Sequence, residues 1–282
     1  MGEALPVRAR RARRPVNVYL WLGLALLAVF VFLTLFGAYI VPHDPEAQDL
    51  FALLDPPSAA HLLGTDNVGR DILSRIIAGT RYTLSIAVAS VCLAGIGGVA
   101  LGSIAGYFGG ATDRLVTGLI DLLLTVPNIV FAIAIASVAG ASATGLTIAI
   151  TASFIPSLAR IVRGRVIELK EEDFVAACIT VGMSHARVLT RHVLPNAITV
   201  IVIEISLNAG QAVLIGSALG FLGLGVQPPA PEWGAMLGAS REFLTIAPHI
   251  VVAPGIAISL LVLAFNTLGD GLRDAFDPNT RT

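Results

Sequence analysis

The sequence predicts an all-α membrane protein with six transmembrane helices, and three observations lead to that prediction. Only 13% of the 282 residues are charged, whereas a soluble domain of this length carries about a quarter. The mean hydropathy is +0.83. A helix of about 17–25 mostly apolar residues crosses a hydrocarbon layer about 30 Å thick. Six runs reach this length: residues 18–41, 83–108, 115–139, 143–159, 197–226 and 243–269.

The apolar runs are continuous rather than alternating with a period of two, which favours helices over a transmembrane barrel. The first run, residues 18–41, is too long for the apolar part of a signal peptide, and no small-x-small cleavage site follows it. We therefore expect a retained anchor. The two cysteines, Cys92 and Cys178, fall in a span and in an inner loop, so no disulfide framework is expected.

The positions of lysine and arginine predict the orientation. Five arginines lie between Arg8 and Arg14, before the first span, and short basic segments stay in the cytoplasm. Six crossings return the carboxy terminus to the same side. In this topology 14 of the 18 Lys and Arg residues are cytoplasmic. Both termini are therefore expected to be cytoplasmic, with tails at residues 1–16 and 271–282.

The remaining chain divides into two parts. Residues 17–80 hold the first span and an extracytoplasmic segment, and residues 81–270 hold the other five spans. The long inner loop, residues 160–196, interrupts this second part. In the second span Gly98, Gly102 and Gly106 repeat every four residues, which predicts a small-residue face that another helix approaches closely.

Polar residues recur at helical spacing within three predicted spans. An ionised carboxylate in the middle of a membrane costs about 2.5–3.5 kcal/mol, so a lipid-facing position is disfavoured. Two interpretations stay open: these residues line a hydrated pathway between helices, or they form hydrogen bonds between helices or sit near the membrane surface. The residues are Asp121, Thr125 and Asn128 in the third span, Glu204, Asn208 and Gln211 in the fifth, and Asn266 in the sixth.

The inner loop contains a pattern typical of two short helices bent at a glycine. Acidic residues, including Asp173, precede an apolar stripe at i, i+3, i+4 and i+7, formed by Phe174, Ala177, Cys178 and Val181. Gly182 ends the first helix and Ser184 caps the second, a basic helix with Arg187 that closes at Pro195. The first helix is too short to be stable alone. A partner protein, the inner rim of the chain itself or lipid must therefore cover the stripe.

The same loop resembles the cytoplasmic "EAA" loop of ABC-importer permeases. The matching residues are "AAC" (Ala176 to Cys178), Gly182 and the pair Leu194-Pro195, with Ala176 in place of the usual glutamate. Three further stretches resemble the dipeptide/oligopeptide/nickel subfamily and its C-type permease subunit. They are "HLLGTDNVGRDILSRIIAGTR" (61–81), "ALGFLGLGVQPPAPEWGAML" (218–237) and "VLAFNTLGDGLRDAFDP" (262–278).

This resemblance implies a type I ABC importer permease fold in the bacterial inner membrane. It implies a role as half of a translocation pathway for peptides, with nickel or glutathione-type uptake as the alternative. The implied partners are a second, B-type permease, two ABC ATPase subunits, an extracytoplasmic solute-binding protein and membrane lipid; no nucleic acid is implied. The resemblance assigns ATPase docking to the inner loop, at Asp173, Phe174, Ala176, Ala177, Cys178, Val181, Gly182, Arg187 and Pro195.

No chemistry of its own is expected from the chain. The sequence contains no G-x-x-x-x-G-K-[ST] motif, so ATP and Mg²⁺ are expected on the ATPase subunits. The five histidines show no metal-ligand spacing. Arg70, Asp71 and Trp233 are candidates for contact with the binding protein, and a hydrogen-bonded loop fold is the alternative for each.

Two other classes of protein fit the sequence less well. An intramembrane aspartyl protease would pair Asp121 with Asp270, but Thr267 stands where the Gly-x-Gly-Asp motif of that class has its first glycine. A secondary transporter would show inverted repeats and broken helices, and neither is evident in the sequence.

Overall fold

A computed structural model describes residues 17–276, so the predicted amino-terminal tail, residues 1–16, and the last six residues lie outside the described range. Within that range the chain forms ten α-helices. They are α1 (Val18–Ile40), α2 (Ile72–Phe108), α3 (Gly110–Leu124), α4 (Asn128–Ala139), α5 (Ala143–Lys170), α6 (Asp173–Thr180), α7 (His185–Val188), α8 (Leu194–Phe221), α9 (Trp233–Ser240) and α10 (His249–Phe276). A π-helical turn, Leu189–Val193, joins α7 to α8.

The helices provide up to six membrane crossings, as the sequence predicts. Five of them, α1, α2, α5, the continuous α7–α8 helix and α10, are each long and apolar enough to span a membrane. The predicted third span is instead a bent pair, because α3 and α4 meet at 92°. Pro127 stands directly before α4 and has no N–H to donate back to a carbonyl of α3, which favours a break of the helical hydrogen bonding at this point. The prediction of one straight helix over residues 115–139 is wrong.

Two helices extend further than the hydropathy pattern indicates. Helix α2 begins at Ile72 rather than near residue 83, because the Asp71 side chain accepts a hydrogen bond from the Ser74 N–H and caps it. Helix α5 continues to Lys170, so much of the predicted inner loop is helical. In both cases charged residues in the extension lower the hydropathy without ending the helix.

The α2–α5 interface is the most extensive helix–helix contact of the described chain, and it confirms the predicted glycine face. A methyl group added at Gly102 would lie 2.4 Å from the Ala159 carbonyl oxygen, and one at Gly98 would lie 2.6 Å from the Leu158 Cβ. Only glycine at these positions lets the two backbones approach so closely. The prediction that this face receives another helix is therefore correct, and the helix is α5.

Helix α1 lies on the outside of the bundle and contacts α10. Only Gly23, Phe30 and Gly37 of α1 are buried. A methyl group at Gly23 would lie 2.5 Å from the Leu268 backbone nitrogen. The Asn17 side chain caps α1 and also donates a 2.6 Å hydrogen bond to the Gly271 carbonyl. The first helix is thus fastened to the last at both of these points.

A central core and two end clusters hold the helices together. The central core draws side chains from α1, α2, α4, α5, α8, α9 and α10. The two ends of the bundle are called inner and outer after the predicted orientation. We call the second group, which lies at the end near α6, the inner cluster; its buried members are Tyr107, Val162, Val166, Leu169, Val175, Val188, Leu189, Val193, Ala197 and Ile201. The third group, around Ile72 and Ile250, joins the start of α2 to the start of α10 at the opposite end.

We predict that Gly102→Ala destabilises the folded chain by about 1–3 kcal/mol, the usual cost of overpacking a core position. The added methyl group would meet the backbone of α5, which cannot move aside as a flexible side chain can. The matched control is Gly118→Ala in α3, where no atom of the described residues lies within 4 Å of the added group. Thermal unfolding of the detergent-solubilised protein measures both. Equal midpoints for the two variants would contradict the close-approach explanation.

Candidate functional site

Helix α6 is attached to the inner end of the bundle along one side only. Val175 is 1% exposed and packs in the inner cluster, and the partly buried Cys178 and Met183 pack against the same cluster. An isolated helix of eight residues would not be stable in water. The packing of Val175 therefore supplies the stability that the sequence of α6 lacks.

The bend predicted at Gly182 is present. Gly182 has φ +82°, a left-handed conformation that favours glycine. Its N–H donates to the Ile179 carbonyl at 2.9 Å, and the Met183 N–H donates to the Cys178 carbonyl at 3.1 Å. These two bonds satisfy carbonyls left free at the end of α6. The glycine therefore fixes the angle at which the chain leaves α6.

The other side of α6 is exposed and apolar. Phe174 is 37% exposed, Ile179 is 44% exposed, and Val181, directly after the helix, is 76% exposed. Ala176 and Ala177 are also exposed. Packing against the rest of this chain therefore covers Val175 and partly covers Cys178. It leaves Phe174, Ala177 and Val181 of the predicted stripe exposed. We call the set Phe174, Ala176, Ala177, Ile179 and Val181 the outward face of α6.

The second predicted helix differs from the prediction in two respects. Ser184 stands at the N-cap of α7, but its side chain makes no capping hydrogen bond among the described residues. Pro195 does not close the helix, because α7 runs through the π-helical turn into α8, and Pro195 lies in the first turn of α8. A proline is tolerated in the first turn of a helix. The π-helical turn, in which the backbone hydrogen-bond pattern changes, lies before Pro195.

Charged residues flank the outward face on both sides. Glu171, Glu172 and Asp173 precede it, and Arg187 and Arg191 follow the bend; all five are exposed. His185, also in α7, is joined by its ring to the Tyr107 hydroxyl at 3.1 Å, which ties α7 to the inner end of α2. The surface therefore has an apolar centre with acidic residues at one end and basic residues at the other.

The predicted polar stripe of the third span is not a single face. The chain bends between α3 and α4, so Asp121 lies on one helix, Thr125 in the bend and Asn128 on the next helix. Asp121 forms an ion pair with Arg160 of α5. A second pair, Asp113 with Arg163, joins the same two helices through two hydrogen bonds of 2.5 and 2.6 Å. Asp121 therefore contributes to contact between helices, the second of the two interpretations.

The stripe of the fifth span lies on one uninterrupted helix, α8. Glu204 and Asn208 are half-buried and Gln211 is exposed. Neighbouring residues show which way this stripe faces: Ile205 packs over Gly95 of α2, and Leu207 packs over Gly269 of α10. At about 100° per residue, the stripe falls between these two contacts. It forms a polar strip between the sides of α8 that meet α2 and α10.

Asn266 of α10 packs on α8. A methyl group at Gly210 of α8 would lie 2.6 Å from the Asn266 Oδ1, so the asparagine packs directly on that glycine. Asn266 is nevertheless exposed on its other side. At about 100° per residue, Gly210 points about 100° away from Gln211, so Asn266 contacts a side of α8 other than the polar strip.

The three residues expected to contact a binding protein lie in the interior of the outer end. Trp233 is 0% exposed, Asp71 3% and Arg70 8%. Trp233 donates from Nε1 to the Ile76 carbonyl at 3.0 Å, and Arg70 pairs with Asp66 at 2.7 Å. A side chain this buried offers no surface to a partner, so their assignment as direct contacts is wrong and the hydrogen-bonded loop fold describes them.

Two carboxylates besides Asp66 are buried at this outer end, and the sequence pattern missed one of them, Glu232. Burial raises the pKa of Glu232 more than the hydrogen bonds from the Gly234 and Ala235 N–H groups and the Thr83 hydroxyl lower it. Burial would also raise the pKa of Asp71, but the Ser74 hydroxyl and N–H, then His61 and His43, outweigh it and lower that pKa. Glu232 caps α9 and thereby fastens the outer segment to α2. A carboxylate directly before a helix start was its only sequence signal.

Comparison with known proteins identifies the family. Residues 98–282 match the family described as "Binding-protein-dependent transport system inner membrane component". The glutathione transport system permease protein GsiD of Pectobacterium atrosepticum is 40% identical over 97% of this chain and 90% of its own length. The dipeptide transport system permease protein DppC is 42% identical in Alkalihalophilus pseudofirmus, over 92% of this chain and 86% of the relative. In Haemophilus influenzae it is 39% identical, over 92% and 90%.

The fold has a counterpart among solved structures. A chain of the MetNI methionine ABC transporter in an inward-facing conformation superposes with a TM-score of 0.57, covering 71% of this chain and 97% of the other at 16% identity. A second crystal form gives a TM-score of 0.58. At this identity the likeness establishes the fold. Together with the family match and the relatives at about 40% identity, it shows that the chain belongs to the family of inner membrane components of binding-protein-dependent transport systems.

Proposed function

We propose that this chain is a permease subunit of an ATP-driven importer for small peptides, including glutathione-type compounds. The relatives at about 40% identity are named for dipeptide and glutathione transport, which supports this class of solute. One structural observation carries the coupling part of the proposal. The chain builds a helix, α6, anchors it by one buried residue, Val175, and leaves an apolar face of it uncovered.

The outward face of α6 is the docking surface for an ABC ATPase subunit. A contiguous apolar surface flanked by charges of both signs is the usual anatomy of a protein interface, with an apolar centre and a polar rim. The ATPases carry the bound ATP and Mg²⁺, and this chain performs no chemistry of its own. Two ATPases serve two permeases, this one and a B-type partner, and the pair forms the pathway.

Force passes from α6 into the bundle through the inner cluster. Val175 packs with α2, α5 and the π turn that leads into α8, and Gly182 holds the direction of the chain between α6 and α7. Because a packed cluster transmits displacement rather than absorbing it, movement of α6 tilts these three spans together. Closure of the ATPases on ATP thereby moves the two permeases between inward-facing and outward-facing states.

The polar strip of α8 lines the pathway, and Asn266 of α10 is a further candidate for its lining. Glu204 and Asn208 are half-buried in this chain alone, and a carboxylate in a span is disfavoured against lipid. A second permease opposite the strip would enclose it as a hydrated channel. Thr125 and Asn128, at the bend between α3 and α4, are further candidates for this lining.

The solute-binding protein meets exposed side chains of the outer end rather than its buried framework. Phe51 is 99% exposed and Leu50 is 71% exposed, both on the segment between α1 and α2. The buried groups Arg70, Asp71 and Trp233 hold this segment in shape. In this proposal they act on the binding protein only through the loops that they position.

We predict that Phe174→Asp removes the ATPases from the purified complex and abolishes uptake. An unpaired carboxylate in an apolar interface costs at least about 1.4 kcal/mol, which is about tenfold in affinity. The matched control is Phe51→Asp, the same substitution at an exposed phenylalanine at the opposite end. Detergent co-purification of the ATPases measures both. The proposal predicts loss with the first and retention with the second, and retention with both would contradict it.

We predict that cysteines placed at positions 204, 208 and 211 react with a membrane-impermeant thiol reagent in the assembled transporter. The background carries Cys92→Ala and Cys178→Ala, which removes the two native thiols. Val202→Cys is the control, because Val202 is 37% exposed but lies on another face of α8. The rate of labelling is the measurement. Unreactive cysteines at all three positions, or equal labelling at Val202→Cys, would refute the hydrated pathway.

A further inference from the structure

Three potential metal ligands that are scattered in the sequence meet at the outer end of the fold. One nitrogen from each of His43 and His61 and one carboxylate oxygen of Asp71 all lie within 4.8 Å of one another. The two imidazole rings have their centroids 4.7 Å apart. His43 follows α1, His61 lies in the outer segment and Asp71 caps α2, so three separate parts of the chain converge here.

The carboxylate of this cluster is held rigidly. Asp71 accepts hydrogen bonds from the Ser74 N–H at 2.8 Å and from the Ser74 hydroxyl at 2.6 Å. The same hydroxyl accepts a 3.0 Å bond from the His43 backbone N–H. Neighbouring hydrogen bonds that orient a ligand in this way are the usual support of a metal site. The backbone of His43 and the side chain of Asp71 are therefore positioned by one residue, Ser74.

The two histidines share this carboxylate unequally. His61 Nδ1 lies 2.9 Å from Asp71 Oδ1, a hydrogen bond, whereas His43 Nδ1 lies 3.7 Å from Oδ2, beyond hydrogen-bond distance. The His43 ring is thus directed at the carboxylate without a bond to it. The His43 side chain is 43% exposed and the His61 side chain 20%, so the ring without a hydrogen bond to Asp71 is also the more exposed of the two.

We propose that His43, His61 and Asp71 bind one divalent transition-metal ion of the Zn²⁺ or Ni²⁺ type on the outer side of the protein. Two imidazoles and a carboxylate are the donor set that such ions favour. Metal–nitrogen bonds of about 2.1 Å in a tetrahedral site put ligand atoms about 3.4 Å apart. A small inward movement of the exposed His43 ring achieves this, and the ion replaces the proton shared between His61 and Asp71.

Such an ion would join the end of α1 to the start of α2 through the outer segment. The fourth coordination position opens on the exposed side of His43 and holds water. Because Asp71 already caps α2, the bound ion stabilises the same framework that positions the exposed residues Leu50 and Phe51.

The test uses the full-length chain, purified in detergent without a polyhistidine tag, and Co²⁺ as a spectroscopic probe. The proposal predicts one Co²⁺ per chain with the visible absorption of a low-coordinate site, displaced by Zn²⁺. His43→Ala and His43→Asn should each weaken binding by about tenfold or more. The matched control is His192→Ala, which removes a histidine from the inner end and should leave binding unchanged.

A second measurement distinguishes loss of a metal ligand from unfolding of the variant. Zn²⁺ should raise the unfolding temperature of the unmodified chain and of His192→Ala, and should leave that of both His43 variants unchanged. The His43 variants should unfold at the temperature of the metal-free chain, because the ring is partly exposed and its backbone N–H still reaches Ser74. No Co²⁺ binding to the unmodified chain, or equal binding in the His43 variants, would overturn the proposal.

Discussion

The packing of Val175 in the inner cluster is the contact on which the proposed coupling depends. Helix α6 has eight residues and too little intrinsic stability to exist alone. Burying one side chain against α2, α5 and the start of α8 fixes the helix to the spans and orients it. It also leaves the opposite, apolar side uncovered. A single packing interaction thus creates both the docking surface and its mechanical connection to the bundle.

The spans that receive this connection are themselves held by close backbone approach. Gly98 and Gly102 of α2 have no side chain, so the backbone of α5 lies directly against them and the two helices are closely packed. At the outer end Arg75 donates to the Pro45 and Pro229 carbonyls, and Trp233 donates to the Ile76 carbonyl. These bonds fasten both outer segments to α2. Helix α2 therefore runs from the outer framework to the inner cluster and links the two ends of the molecule.

Features with a local physical cause could be predicted from the sequence. Span number follows from hydropathy, the α2–α5 contact from the glycine repeat, and the bend at Gly182 from the left-handed conformation that glycine favours. The break at Pro127 was missed because the apolar run continues through it. The hydropathy of a segment does not show whether its helix bends. The burial of Trp233 and Arg70 was missed because their partners lie elsewhere in the chain. The meeting of His43, His61 and Asp71 likewise depends on the folding of a whole outer segment.

The most direct measurement places a photo-crosslinking amino acid at Val181, which is 76% exposed beside α6. The account predicts that irradiation of membranes containing the complete transporter attaches this position to an ATPase subunit. The same amino acid at Ile246, 73% exposed at the outer end, should attach to no ATPase. Crosslinks from position 181 that reach only lipid or this chain, in membranes where the ATPases are present, would contradict the account.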